Sequence, residues 1–121
     1  HSEHVPVLGI RLDFGESGRS LVYSGDTTYT EELVAFAKDC DLLIHEANYS
    51  EMLDPDLDIT GKGHSTARQA GVLAARANCS ILALVHLSPD YVGREQAVCA
   101  EAAQEFDGRI IIPNDGASIY L

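Results

Sequence analysis

Three apolar runs that each close on acids or histidines constrain this chain most. Ser20–Val22 leads into Tyr23-Ser24-Gly25-Asp26, Leu42–Ile44 into His45-Glu46, and Ile81–Val85 into His86. Runs this short and apolar read as buried strands. Helix-patterned segments follow them. Glu31–Lys38 carries Leu33, Phe36 and Ala37 on one face, Ser65–Asn78 carries Ala70, Leu73, Ala74 and Ala77, and Gln96–Phe106 carries Cys99, Ala102, Ala103 and Phe106. Upstream, residues 7–13 alternate as a half-buried strand does, and FGESGR (14–19) turns the chain back into a strand over 20–24. Downstream, Asp107-Gly108 offers a left-handed helix cap, RIIIP (109–113) a strand, NDG (114–116) a tight turn and ASIYL (117–121) a final strand. The order ββ, then αβ three times, then β predicts an α/β fold, a mixed sheet with helices packed on it. Ligands of open α/β sheets sit beyond the carboxyl ends of the strands. Asp26, Glu46 and His86 are therefore expected to project into one region.

Other features set limits. At 121 residues and 45% hydrophobic content the chain suits one modest domain. No apolar run exceeds five residues, so no segment reads as a membrane span. Nineteen acids against eight bases give a formal charge of −11, which opposes broad non-specific binding to nucleic acid or anionic membrane. A bound metal would invert that field locally. Cys40, Cys79 and Cys99 have no C-x-x-C spacing and lie in or beside apolar segments, as reduced structural thiols of a cytoplasmic protein do. Residues 48–63 form one long polar connection, a length usually reserved for function.

The residues that can carry chemistry are His1, Asp26, His45, Glu46, His64 and His86. Imidazole with carboxylate suits zinc, and carboxylate also suits manganese. Each residue has a simpler role open to it. Asp26 is a candidate turn or cap residue, with Thr28 and Glu31 in capping-box spacing. His64 could merely open a helix capped by Ser65, His45-Glu46 could be a solvated strand end, and His86 a half-buried hydrogen-bonded histidine. His1 and His4 could be ordinary terminal residues. Convergence at successive strand ends favours a site over these separate roles.

Taken together, YSGDT (23–27), HLSPDY (86–91) and HSEHVPVLGIR (1–11) resemble the carboxyl-terminal half of a metallo-β-lactamase-fold hydrolase. HEAN (45–48) and GHST (63–66) are similar to the HEAT and HST motifs of the ribonuclease Z, or tRNA 3′-processing endonuclease, branch. The resemblance implies half of an αββα sandwich over residues 1–121, in a longer enzyme whose H-x-H-x-D-H motif lies outside this sequence. It implies a dinuclear zinc site, with manganese as the other candidate metal. Asp26 would bridge the two ions, His86 would bind one, and His1, before His4, would be a further ligand. It also implies that His64 donates a proton to the leaving oxygen, that Glu46 orients it, and that Asp115 in the closing turn supports the site without binding metal. A carboxylate partner favours the protonated histidine that a general acid requires.

Two positions depart from the branch. Asn48 stands where HEAT has Thr, and Asp90 stands where H-x-S-x-R-Y has Arg. An Arg can hold a phosphate bidentately, whereas an Asp repels it. The implied function is a phosphodiesterase acting on tRNA precursors, soluble and homodimeric. Asp90 and the acidic surface keep open a cyclic-nucleotide phosphodiesterase or arylsulfatase-like hydrolase. A structural half-domain, inactive alone, is the non-enzymatic alternative.

Overall fold

The computed structural model describes residues 9–121. Strands β1 (Ile10–Asp13) and β2 (Ser20–Tyr23) form an antiparallel hairpin. Strands β3 (Leu42–Glu46), β4 (Ile81–Val85) and β5 (Arg109–Ile111) join β2 in parallel, in the order β1-β2-β3-β4-β5. Helices α1 (Glu31–Phe36), α2 (Ala67–Arg76) and α3 (Glu95–Ala103) make the crossovers that parallel pairing requires. The expected mixed α/β sheet is what the chain forms.

Strand period separates two faces. Val22, Leu43, Leu82 and Leu84 point to the helices and join Leu33, Leu73, Ala74, Val98, Ala102 and Phe106 in one buried core. The other face carries Ile10, Leu12, Leu21, Tyr23, Leu42, Ile44, Ala83 and Ile111, paired across the ladders. Ile10, Leu12 and Tyr23 on it are exposed. The same alternation divides the His45-Glu46 pair. His45 lies on the helix side with Leu43, and Glu46 lies on the opposite side with Ile44. Both are buried, at 0% and 1% exposure, so neither is a solvated strand end.

Several local expectations fail for identifiable reasons. Thr30, not Thr28, caps α1, its side chain accepting from Leu33 N; Glu31 is already the first helical residue and pairs with Arg76. Thr66, not Ser65, caps α2 in a reciprocal capping box with Gln69, and Ser65 Oγ donates to Thr27 O instead. The buried face of α3 is Val98, Glu101 and Ala102, which leaves Cys99 at intermediate exposure. Gly108 has no left-handed φ. Its lack of a Cβ allows close approach instead, since a Cβ would sit 2.7 Å from Ser80 O. No final strand forms over residues 117–121. Pro113 has no N–H for the ladder, and a turn closed by Ala117 N donating to Asn114 O at 2.9 Å follows it.

Helices α2 and α3 meet through Gly71, where a Cβ would fall 2.5 Å from Ala102 O. Alanine at position 71 would gain about 1 kcal/mol of helix propensity. Forcing two helix backbones apart costs about 1–3 kcal/mol, and the obstacle is backbone, which cannot swing aside. Gly71→Ala is therefore expected to lower the thermal midpoint; an unchanged or raised midpoint in a melting experiment would show that the helices separate freely.

Candidate metal and acid–base site

The carboxyl ends of β2, β3 and β4 deliver the site. After β2, Ser24 N donates to Ile44 O, and Gly25 takes φ +66, a left-handed conformation suited to glycine. That bend aims Asp26 across the sheet end, where its Oδ1 accepts from His86 Nδ1 at 2.6 Å. With Thr30 capping α1, Asp26 is not the helix cap. His86 follows β4 in a left-handed backbone conformation, φ +56, unusual for a residue with a Cβ. Asn48 holds it there. Its Nδ2 donates to His86 O at 3.1 Å, and its own carbonyl accepts from Ser88 N. The residue that departs from the HEAT pattern thus clamps the strand end that presents His86.

Glu46 is the buried centre of the arrangement. Its Oε1 accepts from His64 Nδ1 at 2.9 Å and from Thr27 N at 3.1 Å, and its Oε2 accepts from Asn48 N at 3.0 Å. His64 precedes α2, with Gly63 at φ +74 before it. Its side chain is 16% exposed against 47% for His86, so the His64–Glu46 pair is shielded while Asp26–His86 faces solvent. The His64 and His86 rings lie edge to face, 5.4 Å apart. Through Nδ1, Glu46 fixes the orientation of the His64 ring.

His45 serves the core. Its Nδ1 lies 2.7 Å from Glu46 O, Nε2 has no hydrogen-bond partner among the described residues, and burial pushes its pKa down. Asp115 is exposed in the 114–117 turn and lines a cavity of about 570 Å³ with His86 and Glu95. Asp90 is exposed on a 3₁₀ turn, Pro89–Tyr91. His1 and His4 lie outside the described residues.

One donor atom each from Asp26, His64 and His86 falls within 4.8 Å of the other two. Two imidazoles and a carboxylate are a donor set that zinc or manganese accepts, so the residues fit the metal that the fold implies. Sequence reasoning missed Asn48 as a clamp and Glu101 as a buried acid. The signal for Glu101 was present: an acid at i+3 from Val98 and next to Ala102, inside the apolar stripe of α3.

The fold is that of the metallo-β-lactamase class. The metallo-beta-lactamase fold protein YhfI from Bacillus subtilis superposes with a TM-score of 0.73 at 30% identity, over 84% of this chain and 40% of that one. Human tRNase Z, short form, has the same fold, with a TM-score of 0.66 at 23% identity over 93% of this chain and 37% of its own. The family described as Beta-lactamase superfamily domain matches residues 1–87, and the chain belongs to that family. Ribonuclease Z of Halorubrum lacusprofundi is 41% identical over 104 residues, 86% of this chain and 33% of the relative. Ribonuclease Z of Myxococcus xanthus is 38% identical over the same shares. The chain thus spans about a third of the length of these curated relatives.

Proposed function

We propose that the full-length protein is a metal-dependent phosphodiesterase of ribonuclease Z type that cleaves tRNA precursors, and that residues 1–121 are the carboxyl-terminal portion of its metallo-β-lactamase-fold domain. The observation that carries this reading is the convergence of Asp26, His64 and His86 from three separate segments beside the buried Glu46. Similarity to ribonuclease Z proteins supports the substrate class. Asp26 and His86 would hold zinc, or manganese, with His1 as a further ligand. When bound, such a metal pair supplies a water acidified toward neutrality and positive charge against the phosphoryl oxygens.

This chain's own groups do the rest. Glu46 holds the His64 Nδ1 proton, fixing the ring so that Nε2 carries a proton to the departing oxygen. The apolar face bearing Ile10, Leu12 and Tyr23 supports the half-domain reading, because a second sheet laid on it would complete a sandwich. A homodimer and a cytoplasmic setting complete the proposal; free Cys40, Cys79 and Cys99 suit a reducing compartment.

Exposed Asp90 favours a second reading, a smaller phosphodiester substrate, since an acid there does not grip a polynucleotide phosphate. Elemental analysis of full-length protein expressed with ample metal tests the site; the expected result is at least about one zinc or manganese per chain, and less would overturn it. Turnover of bis-p-nitrophenyl phosphate without cleavage of a tRNA precursor would select the second reading.

A further inference from the structure

Among the described residues, the most buried acid outside the site is Glu101, on α3, 1% exposed. It accepts four hydrogen bonds. Ser50 Oγ at 2.6 Å and Met52 N at 2.9 Å reach its Oε1, and Glu51 N at 3.1 Å and Arg68 N at 2.9 Å reach its Oε2. These donors come from both ends of the long 48–63 connection: its departure at 50–52 and its return in the first turn of α2. The guanidinium of Arg68 turns away, to Glu51. The buried charge is therefore balanced by N–H and O–H donors and by the amino end of α2.

From that post the contacts run to His64. Tyr49 pairs with Thr66 across a bridge in which Tyr49 N donates to Ser65 O and Ala67 N to Tyr49 O. Thr66 Oγ1 donates to Glu51, Ser65 Oγ donates to Thr27 O beside Asp26, and the Tyr49 ring lies edge-on to the His64 ring at 5.9 Å. Residues 49–51 and 65–68 form one unit; Glu101 ties it to α3, and Tyr91 OH, accepting from Ser50 N at 2.9 Å, ties it to the 3₁₀ turn. We propose that Glu101 is a positioning residue that sets the placement of His64 through residues 49–51 and 65–68. The inference rests on the proton-donor reading of His64 given above.

Glutamine is nearly isosteric but turns one oxygen into a donor, so two of the four donors lose their acceptor. Misplacement of a reacting group by about 1 Å can cost about 10²-fold in rate. In full-length protein, Glu101→Gln is expected to lower kcat on a tRNA precursor by about tenfold or more, with KM within about twofold. Metal content should not change. In a His64→Ala background the same substitution should change kcat by less than about twofold, because the group it positions is gone. The side-chain ¹⁵N signals of His64 should shift while those of His86 stay. An equal loss in both backgrounds, or a folded variant with full activity, would overturn the proposal. If Glu101→Gln does not fold, Ser50→Ala removes one donor and should give a smaller loss with the same dependence on His64. If His64→Ala leaves cleavage unchanged, the proton-donor reading fails; the His64 signals then judge Glu101 alone, and unmoved signals would overturn it.

Discussion

His64→Ala in the full-length protein is expected to slow cleavage of a tRNA precursor by about 10²–10⁴-fold. The same variant should slow hydrolysis of bis-p-nitrophenyl phosphate by less than about tenfold. The two substrates differ in what leaves. A ribose oxygen departs as a strongly basic alkoxide unless it is protonated, whereas p-nitrophenolate leaves unaided near neutral pH. The geometry behind the expectation is His64 Nδ1 on Glu46 Oε1 at 2.9 Å in a shielded position. Metal content decides between donor and ligand, since a donor atom of His64 lies within 4.8 Å of those from Asp26 and His86. Unchanged metal with a leaving-group-dependent loss identifies the acid. Loss of metal together with both activities identifies a third ligand.

Asp26→Ala is expected to reduce bound metal and to lower both activities by about 10³-fold or more. Its stability should change by no more than about 0.5 kcal/mol without metal, because Asp26 is 36% exposed at the side chain and caps no helix. Capping substitutions behave in the opposite way, costing about 1 kcal/mol with no effect on metal. Metal content and a melting curve on the same sample separate the two roles. A destabilised, fully active and metal-replete variant would return Asp26 to an ordinary turn residue.

These two experiments probe residues that were visible in the sequence to different degrees. Asp26 and His86 stood at the ends of apolar runs, and strand ends can be read from a linear pattern because the apolar run stops there. Glu46 and His45 were visible as a pair but not as individuals. Only the register of β3 shows that alternation turns His45 into the core and Glu46 to the site. Helix caps were misplaced by one or two residues because Thr28, Thr30, Ser65 and Thr66 all have hydroxyls. Which one caps depends on where the neighbouring hydroxyl is used, as Ser65 is on Thr27 O.

By itself the sequence determined the α/β order, the strand ends and the chemical types at those ends. Those properties are local, set by apolar runs, helical spacing and turn residues. The tertiary structure decided the pairings: Asp26 with His86, Glu46 with His64, Asn48 on the backbone of His86, and Glu101 on both ends of the 48–63 connection. Each of these pairings joins residues 18 to 60 positions apart. Contacts of that kind arise only when neighbouring strands lie side by side and the helices close over them, and no periodicity in the chain encodes them.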